Sequence, residues 1–180
     1  MNELTRWLRD QPSLTGTPPP LDLSDLPTDP HDLFDAWIRA AADADIAEVR
    51  AATLATADAG GRPDARTLIL KGVSADGWEF AGPRSSAKGR QLADNPAAAL
   101  NFWWQPVMRA VRVRGTVHEA TPEESAADFG ARPASSDAAP SDWVLWRLIP
   151  DRIEFWQGSH DRRHTRIVYT RDGDDWGHES

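Results

Sequence analysis

The sequence alternates most clearly in the stretch RAVRVRGTVH, residues 109–118. Val111, Val113 and Val117 share one side of an extended chain, because successive side chains of a strand point to opposite faces. Arginine, threonine and histidine side chains occupy the other side. A period of two predicts a strand with one buried face and one polar face.

Similar short segments flank this strand on both sides. They predict further strands at 52–56, 66–71, 78–81, 98–104, 144–148, 152–157 and 165–170, with a last one beginning at Trp176. The first two are joined by the turn DAGGRP, residues 58–63, and therefore form a hairpin. Helices are predicted from Pro30, over 85–93 and after Thr121. Strands joined mostly by tight turns predict a mainly β fold, an antiparallel sheet closed as a small barrel with a few peripheral helices.

The N-terminal part differs in composition from the rest. Residues 11–28 are rich in proline, with three in a row at 18–20, which predicts an extended segment and not a packed element. Asp29 and Pro30 then suit the N-cap and the first position of a helix. We therefore expect an extended arm over 1–28 and a single domain over 29–180, a length typical of one domain.

Composition excludes several classes of protein. The chain has no cysteine, which rules out disulfide scaffolds, cysteine-ligated zinc, iron–sulfur clusters and thiol nucleophiles. His31, His118 and His178 lack metal-ligand spacing, and no metal site is predicted. No apolar run reaches the roughly 18–20 residues of a membrane span, and no signal peptide is recognisable, so we expect a cytoplasmic protein without a membrane partner. A net charge of −8 argues against a nucleic-acid partner.

The basic residues are unevenly distributed. Residues 62–114 carry 9 basic and 4 acidic side chains, and only two of the 20 basic residues are lysines, Lys71 and Lys88. Arg66 and Lys71 lie at the two ends of one predicted strand, and Lys88 follows two serines that open a helix. Such groups can hold a phosphate. Ordinary helix capping and solvated strand ends explain the same residues without a ligand.

A second cationic cluster lies near the C-terminus. Arg162, His164 and Arg166 alternate on a predicted strand, so all three would face the same way. They could surround an anion, or they could form a charged and solvated strand edge.

Several motifs resemble the pyridoxamine 5'-phosphate oxidases, which are FMN-binding split barrels. The motifs are DPHDLFDAW at 29–37, GRP at 61–63, RTLILK at 66–71, NP at 95–96, RVRG at 112–115, FGARP at 129–133 and IEFWQG at 153–158. Their order and spacing fit from about residue 5 to residue 176. The arm and the KGRQL motif, residues 88–92, are most similar to the subgroup that includes phenazine-biosynthesis flavin oxidases.

The resemblance implies an FMN site at the interface of a homodimer. The implied cofactor-binding residues are Arg66, Thr67, Leu68, Ile69, Phe80, Ala81 and Lys88, with Trp156 and Arg166 reaching the cofactor from the partner subunit. The implied groups on the phosphate of the substrate are Lys71, Arg132 and Ser136. Arg162 and His164 correspond to the pair over the substrate ring, where they would bind substrate and act in catalysis.

Some positions depart from the family pattern. Ala87 stands where an arginine is common, Ala110 replaces a glutamine that contacts the flavin, and Asp128 replaces a tyrosine on the substrate phosphate, which it would repel. The link between Ser136 and Trp143 is also short. The sequence thus predicts an FMN-dependent oxidase that transfers a hydride from an anionic heterocycle to flavin and is reoxidised by O2, in a specialised biosynthetic pathway. The alternative is a degenerate split barrel that binds flavin or another planar cofactor without oxidase turnover.

Overall fold

The computed structural model describes residues 1–132 and 138–180. Its helices are α1 Glu3–Asp10, α2 Pro30–Asp43, α3 Ala87–Asp94 and α4 Pro122–Gly130, with single turns of 3-10 helix at Gln105–Val107 and Pro140–Asp142. Its strands are β1 Ala51–Ala57, β2 Pro63–Ile69, β3 Gly72–Ser74, β4 Gly77–Pro83, β5 Ala97–Trp104, β6 Arg109–Glu119, β7 Trp143–Gln157, β8 Thr165–Asp172 and β9 Asp175–Glu179.

The described strands form one antiparallel sheet. Its order is β2-β1-β5-β6-β7-β4-β3, and β8 also pairs with β7 and carries β9 on its far side. The predicted β1–β2 hairpin is present, with Leu54 opposite Arg66. The mainly β antiparallel fold with a few helices is therefore confirmed. The short strand β3 was not predicted, and β9 begins at Asp175, one residue before the predicted start at Trp176, and is five residues long.

The alternating stretch at 109–118 folds as predicted. Val111, Val113 and Val117 of β6 are buried, whereas Arg112 and Arg114 are exposed. The valines join a core dominated by aromatic rings from the sheet and from α2. The largest core side chains are Phe34, Trp37, Trp78, Phe80, Phe102, Trp104, Trp146, Phe155 and Tyr169.

The strand β7 corrects one sequence prediction. Two strands were expected at 144–148 and 152–157, but residues 143–157 form one continuous strand. Its first half pairs with β4 and its second half with β8, while β6 pairs with it from Trp146 to Gln157. The register against β6 shifts between Arg114 and Gly115, so β7 bends there without ending. The sequence prediction left 149–151 outside both strands, and a proline followed by an aspartate fits a bulge as well as a turn.

The bulge requires a glycine on β6. A Cβ atom at Gly115 would lie 2.8 Å from the backbone carbon of Ile149 and 2.9 Å from Cα of Pro150. Real Cβ atoms do not approach backbone this closely, so only glycine lets the two strands meet at this point.

The N-terminal arm also differs from the prediction. Residues Glu3–Asp10 form helix α1, capped by the side chain of Asn2, so the expectation of an extended arm over 1–28 is wrong for this part. Between α1 and α2 the chain has no helix or strand, but it does pack against the barrel. Gln157 Nε2 donates to the carbonyl of Pro19 at 3.1 Å, and the Tyr169 hydroxyl donates to the carbonyl of Pro27 at 2.7 Å. Proline carbonyls thus act as acceptors that attach the arm to the sheet.

The predicted helix starts are present. Asp29 caps α2 through the N–H of His31, and Thr121 and Glu124 form a capping box at α4. Within the described residues, no helix is long and apolar enough to cross a membrane.

Candidate functional site

Two cations meet where β2 passes the start of α3. Arg66 Nη1 donates to Thr56 Oγ1 at 2.5 Å, and its Nη2 donates to Asp64 Oδ2 at 2.8 Å and to Gln91 Oε1 at 3.0 Å. Thr56 and Gln91 are also hydrogen-bonded to each other. This network fixes the guanidinium of Arg66 in one position beside Lys88.

Lys88 is a half-buried cation without a carboxylate beside it. Burial lowers the pKa of its ammonium, and the charge of Arg66 lowers it further. Lys88 Nζ donates to Ser86 Oγ at 3.3 Å and lies 5.5 Å from the centre of the Trp146 ring. Among residues 1–132 and 138–180, no acidic group opposes this shift. Two neighbouring cations of this kind are favourable when an anion lies against them.

Gly82 makes room for the lysine. A Cβ atom at this position of β4 would collide with Nζ of Lys88 and lie 2.9 Å from its Cε. The ammonium therefore lies directly against the strand backbone. Gly82 was not predicted from the sequence to belong to the site, although a glycine inside a strand is a signal of close approach by another group.

The two serines before Lys88 have different roles. Ser86 is the N-cap of α3 and accepts a hydrogen bond from Gly89 N at 3.3 Å. Ser85 is bound through its N–H and its hydroxyl to Asp142, and both bonds lower the pKa of that carboxyl. Ser86 thus does the ordinary capping that the sequence left open. The partner of Ser85, Asp142, lies 57 residues away and could not be read from the sequence.

The remaining residues expected to contact the cofactor, on β2 and β4, differ in how exposed their side chains are. Thr67 and Ile69 of β2 are exposed, whereas Leu68 packs against the core. Phe80 is fully buried and stacks on Trp146 with ring centres 5.8 Å apart, so its side chain belongs to the core. Ala81 is half-buried at the next position of β4. Of Phe80, only the backbone can face a ligand.

A second group of candidate residues lies on the other face of the sheet. Trp156 pairs with Ala110 on one side and with Arg166 on the other, and Ala110 in turn pairs with Trp103. The small side chain of Ala110 lets the two indoles approach, with ring centres 5.9 Å apart. Trp103 is 48% exposed, so an aromatic surface faces outward here. This face is opposite to the one that carries Arg66, whose pairing partner Leu54 is buried in the core.

The structure corrects the predicted arrangement of Arg162, His164 and Arg166. Strand β8 begins at Thr165, so only Arg166 lies on it. Arg162 has a left-handed backbone with φ of 63° and belongs to the preceding turn. The ring of His164 lies 4.9 Å from that of Trp156, and its Nδ1 accepts the N–H of Ser159 at 3.0 Å. Strand alternation therefore does not place the three side chains on one side, because Arg162 and His164 precede the first residue of β8.

Arg166 lies beside a buried carboxylate. Its Nη1 lies 3.8 Å from Oε1 of the buried Glu154, which also binds Arg112 and Arg152 at 2.8 and 2.9 Å. Burial raises the pKa of Glu154, but the three arginines outweigh it and lower that pKa overall. Three cations around one carboxylate leave this patch with net positive charge.

The expected phosphate site of the substrate holds an ion pair. Lys71 lies just after β2 and not at its end as predicted, and its Nζ is 3.1 Å from Asp128 Oδ1. Trp143 Nε1 donates to Asp128 Oδ2 at 2.8 Å, and Arg132 stacks on the Trp143 ring at 4.0 Å. The structure thus brings Lys71 and Arg132 to the two sides of one Asp128–Trp143 unit. Ser136 lies outside the described residues.

A groove of about 400 Å³ opens beside Lys71, between α2 and the β2–β3 connection. Asp29, His31 and Arg50 also line it, but neither Arg66, Lys88 nor Trp156 does. No group of three or more acidic or histidine side chains that could hold a metal occurs in the part of the chain that is described.

Two solved structures with the same fold define the class of protein. PhzG from Burkholderia lata 383, solved in complex with tetrahydrophenazine-1-carboxylic acid, has a TM-score of 0.83 and 26% identity, covering 91% of this chain and 98% of that chain. An FMN binding protein related to pyridoxamine 5'-phosphate oxidase, from Nostoc punctiforme, has a TM-score of 0.67 and 20% identity, covering 86% of this chain and 98% of that one. The chain is a split β-barrel of the kind that its motifs predicted.

Sequence comparison identifies the particular family. Residues 38–157 match the pyridoxamine 5'-phosphate oxidase family, and residues 143–180 match its C-terminal dimerisation region. A pyridoxine/pyridoxamine 5'-phosphate oxidase of Paraburkholderia phymatum is 40% identical over 186 residues, covering 85% of this chain and 88% of that protein. Its counterpart in Burkholderia thailandensis is 38% identical, covering 84% and 86%. The chain belongs to the pyridoxamine 5'-phosphate oxidase family.

Proposed function

We propose that this protein is an FMN-dependent oxidase acting on an anionic, flat heterocycle. The observation that carries the proposal is the pair of cations Arg66 and Lys88, which lie side by side with Lys88 seated over Gly82. A phosphate monoester fits this pair, because it supplies the negative charge that Lys88 lacks. The residues present therefore fit the phosphate of FMN, and the family relationship supports the same cofactor.

A homodimer explains why the candidate residues lie on two faces. Arg66 and Lys88 lie at one end of the barrel, and Trp156 and Arg166 face outward from the opposite side of the sheet. A two-fold axis between protomers can bring the cations of one protomer and the outward-facing residues of its partner against the same ligand. The dimer then has two equivalent sites. The match of residues 143–180 to a dimerisation region supports this arrangement, since it includes Trp156 and Arg166.

When bound between Arg66 and Lys88 of one protomer and Trp156 and Arg166 of its partner, FMN would supply the redox chemistry, namely hydride acceptance with O2 as the final oxidant and hydrogen peroxide as the product. The protein's own residues bind and orient. Arg66 and Lys88 bind the cofactor phosphate. Trp156, with His164 against its ring, presents a flat surface suited to stacking on a heterocycle. Arg162 and Arg166 add positive charge near this surface, which favours an anionic substrate.

The substrate is proposed to come from specialised metabolism. The structure of PhzG contains a tricyclic carboxylic acid, and its fold covers nearly all of this chain. The curated relatives are named for 5'-phosphate substrates. Asp128 beside Lys71 favours the first kind of substrate over the second, because a carboxylate next to the lysine opposes a phosphate.

The absorbance spectrum of the purified protein tests the proposal. We expect a yellow protein whose flavin bands bleach under argon when a reduced heterocyclic substrate is added and return in air. The alternative, a split barrel without oxidase turnover, is favoured by the partial neutralisation of Lys71. It predicts flavin bands that no such substrate bleaches. A colourless protein that added FMN does not turn yellow would overturn the assignment of the cofactor.

A further inference from the structure

Asp128 forms an ion pair with Lys71, the lysine expected to bind the substrate phosphate. Lys71 Nζ and Asp128 Oδ1 are 3.1 Å apart, and the Asp128 side chain is 14% exposed. At this distance the carboxylate neutralises most of the field of the ammonium. Lys71 is therefore not a free cation in this protein.

The carboxylate is also held in place from its other side. Its second oxygen, Oδ2, accepts the indole N–H of Trp143 at 2.8 Å, and the guanidinium of Arg132 lies against the rings of both Trp143 and Phe129. Turning Asp128 away would break two bonds to a half-buried carboxylate, and each charged hydrogen bond is costly to lose. The ion pair is thus a built feature of the site and not a chance surface contact.

The guanidinium of Arg132 lies against the Trp143 ring, 4.0 Å from its centre, so Asp128 is the charged group in contact with Lys71. The charges behind Lys71 are acidic on balance. Behind Lys71, the backbone N–H donates to the carbonyl of Glu79, whose side chain binds Arg147. Arg147 also binds Glu124 at 2.7 Å, so these two carboxylates and one arginine carry a net charge of −1. A phosphate dianion at Lys71 would face Asp128 directly, with this acidic group behind.

We propose that Asp128 is a specificity-determining residue that keeps phosphate monoesters away from Lys71. The site then selects heterocycles that carry one negative charge or none at this position. This inference rests on the proposed function for the location of the substrate. It concerns, however, how the site distinguishes ligands by their charge. A binding experiment measures this difference in affinity without any turnover of substrate.

Calorimetric titration of the purified protein tests the proposal. The probes are pyridoxine and pyridoxine 5'-phosphate, at about pH 8, where a phosphate monoester is a dianion. In the native protein we expect the phosphate to add little affinity. The Asp128→Asn variant should bind pyridoxine 5'-phosphate about 10- to 100-fold more tightly than the native protein does, which is the effect of one charged hydrogen bond. Its affinity for pyridoxine should change little. Asparagine keeps the size of the side chain and an oxygen for Trp143.

Two further variants separate charge from structure. Lys71→Met added to Asp128→Asn should remove the gain, because the freed ammonium is its source. Asp151→Asn removes an exposed carboxylate paired with Arg114 and should change neither affinity. Native protein that already prefers the phosphate ester strongly, or an Asp128→Asn variant without the gain, would overturn the proposal. The proposed oxidase function fails separately, on a protein without flavin bands.

Discussion

Lys88 illustrates how a single residue can point to a missing partner. Its ammonium is half-buried, it is repelled by Arg66, and the described chain offers it no carboxylate. An isolated charge in this position destabilises the protein unless a ligand compensates it. The cofactor phosphate is the compensating group in the function proposed above.

Replacement of this lysine should separate two forms of the cofactor. Lys88→Ala should weaken FMN binding by about 1.5–3 kcal/mol, the usual contribution of a charged hydrogen bond, and leave riboflavin nearly unaffected. Arg90→Ala, on the same helix but exposed, is the control and should affect neither ligand. Fluorescence titration of the apoprotein with both flavins measures this. Equal weakening of both would show that Lys88 does not contact the phosphate.

Residue chemistry was only partly readable from the sequence. Lys71 and Lys88 stood out because the chain otherwise uses arginine, and the structure finds both in charged clusters. Gly82 and Asp142 were missed, because their importance lies in what approaches them from distant parts of the chain. Asp128 was identified as opposing a phosphate, but not as the partner of Lys71, since 57 residues separate the two in sequence.

Among the elements, the bulge between β6 and β7 offers a direct test of packing. Gly115→Ala places a Cβ atom against the backbone of Ile149 and Pro150, which cannot move as a side chain can. We expect a loss of about 1–3 kcal/mol in the free energy of unfolding, the usual cost of overpacking. Gly177→Ala in β9 has nothing within 4 Å of the new atom and is the matched control. Urea denaturation distinguishes the two, and equal stability of both variants would mean that the bulge tolerates a side chain.

Helix α4 should loosen in acid. Hydrogen bonds from Arg147, and then from Thr121, lower the pKa of Glu124 from 4.5 to about 2. A carboxyl that is harder to protonate in the folded chain stabilises it above the unfolded pKa and loses this effect as the pH falls toward about 2. Glu124→Gln should therefore destabilise the protein near neutral pH, and the difference should shrink between about pH 5 and pH 2.

Urea unfolding at several pH values measures that difference. Glu123→Gln changes an exposed carboxylate in the same first turn of α4, and it should leave the pH dependence of stability as in the native protein. A Glu124→Gln variant whose deficit stays constant down to about pH 2 would contradict the prediction.

The elements followed local sequence rules wherever the pattern was local. The capping box at Thr121 and Glu124, the Asp29–Pro30 helix start and the alternation at 109–118 each have their cause within a few residues. The errors occurred where a distant partner decides the structure. Residues 143–157 remain one strand because β6 pairs with both halves. The residues before Thr165 are not part of β8, because β7 ends at Gln157, the residue that pairs with Thr165.

The whole molecule exposes an apolar strip that suits a dimer interface. Ile69 and Trp103 are 38% and 48% exposed on the outer face of β2 and β5, and Trp156 extends the strip across the sheet. Exposed aromatic residues of this kind are typical anchors of protein interfaces. We expect Trp103→Asp to convert a dimer into monomers and to lower FMN affinity with it.

Light scattering at micromolar concentration measures this change. Leu23→Asp alters an exposed apolar residue on the arm, away from the strip, and should leave the dimer intact. A native protein that is monomeric with flavin bound would contradict the two-subunit site altogether. At this scale the sequence predicted the barrel and its dimer through family motifs, but not the helix at Glu3–Asp10, whose apolar side chains find no partner within the described chain.

The shared strand β7 has a consequence for the synthesis of the protein on the ribosome. Strand β4 pairs only with the short β3 until β7 is present, so the large rings of Trp78 and Phe80 have no sheet to complete their burial. Residues 143–157 leave the exit tunnel only after β4, β5 and β6 have emerged. The nascent chain therefore has to carry an open, aromatic-lined half-barrel until β7 emerges. Folding of the sheet should be completed only when β7 has emerged, and chaperones would contact the chain in the period before that.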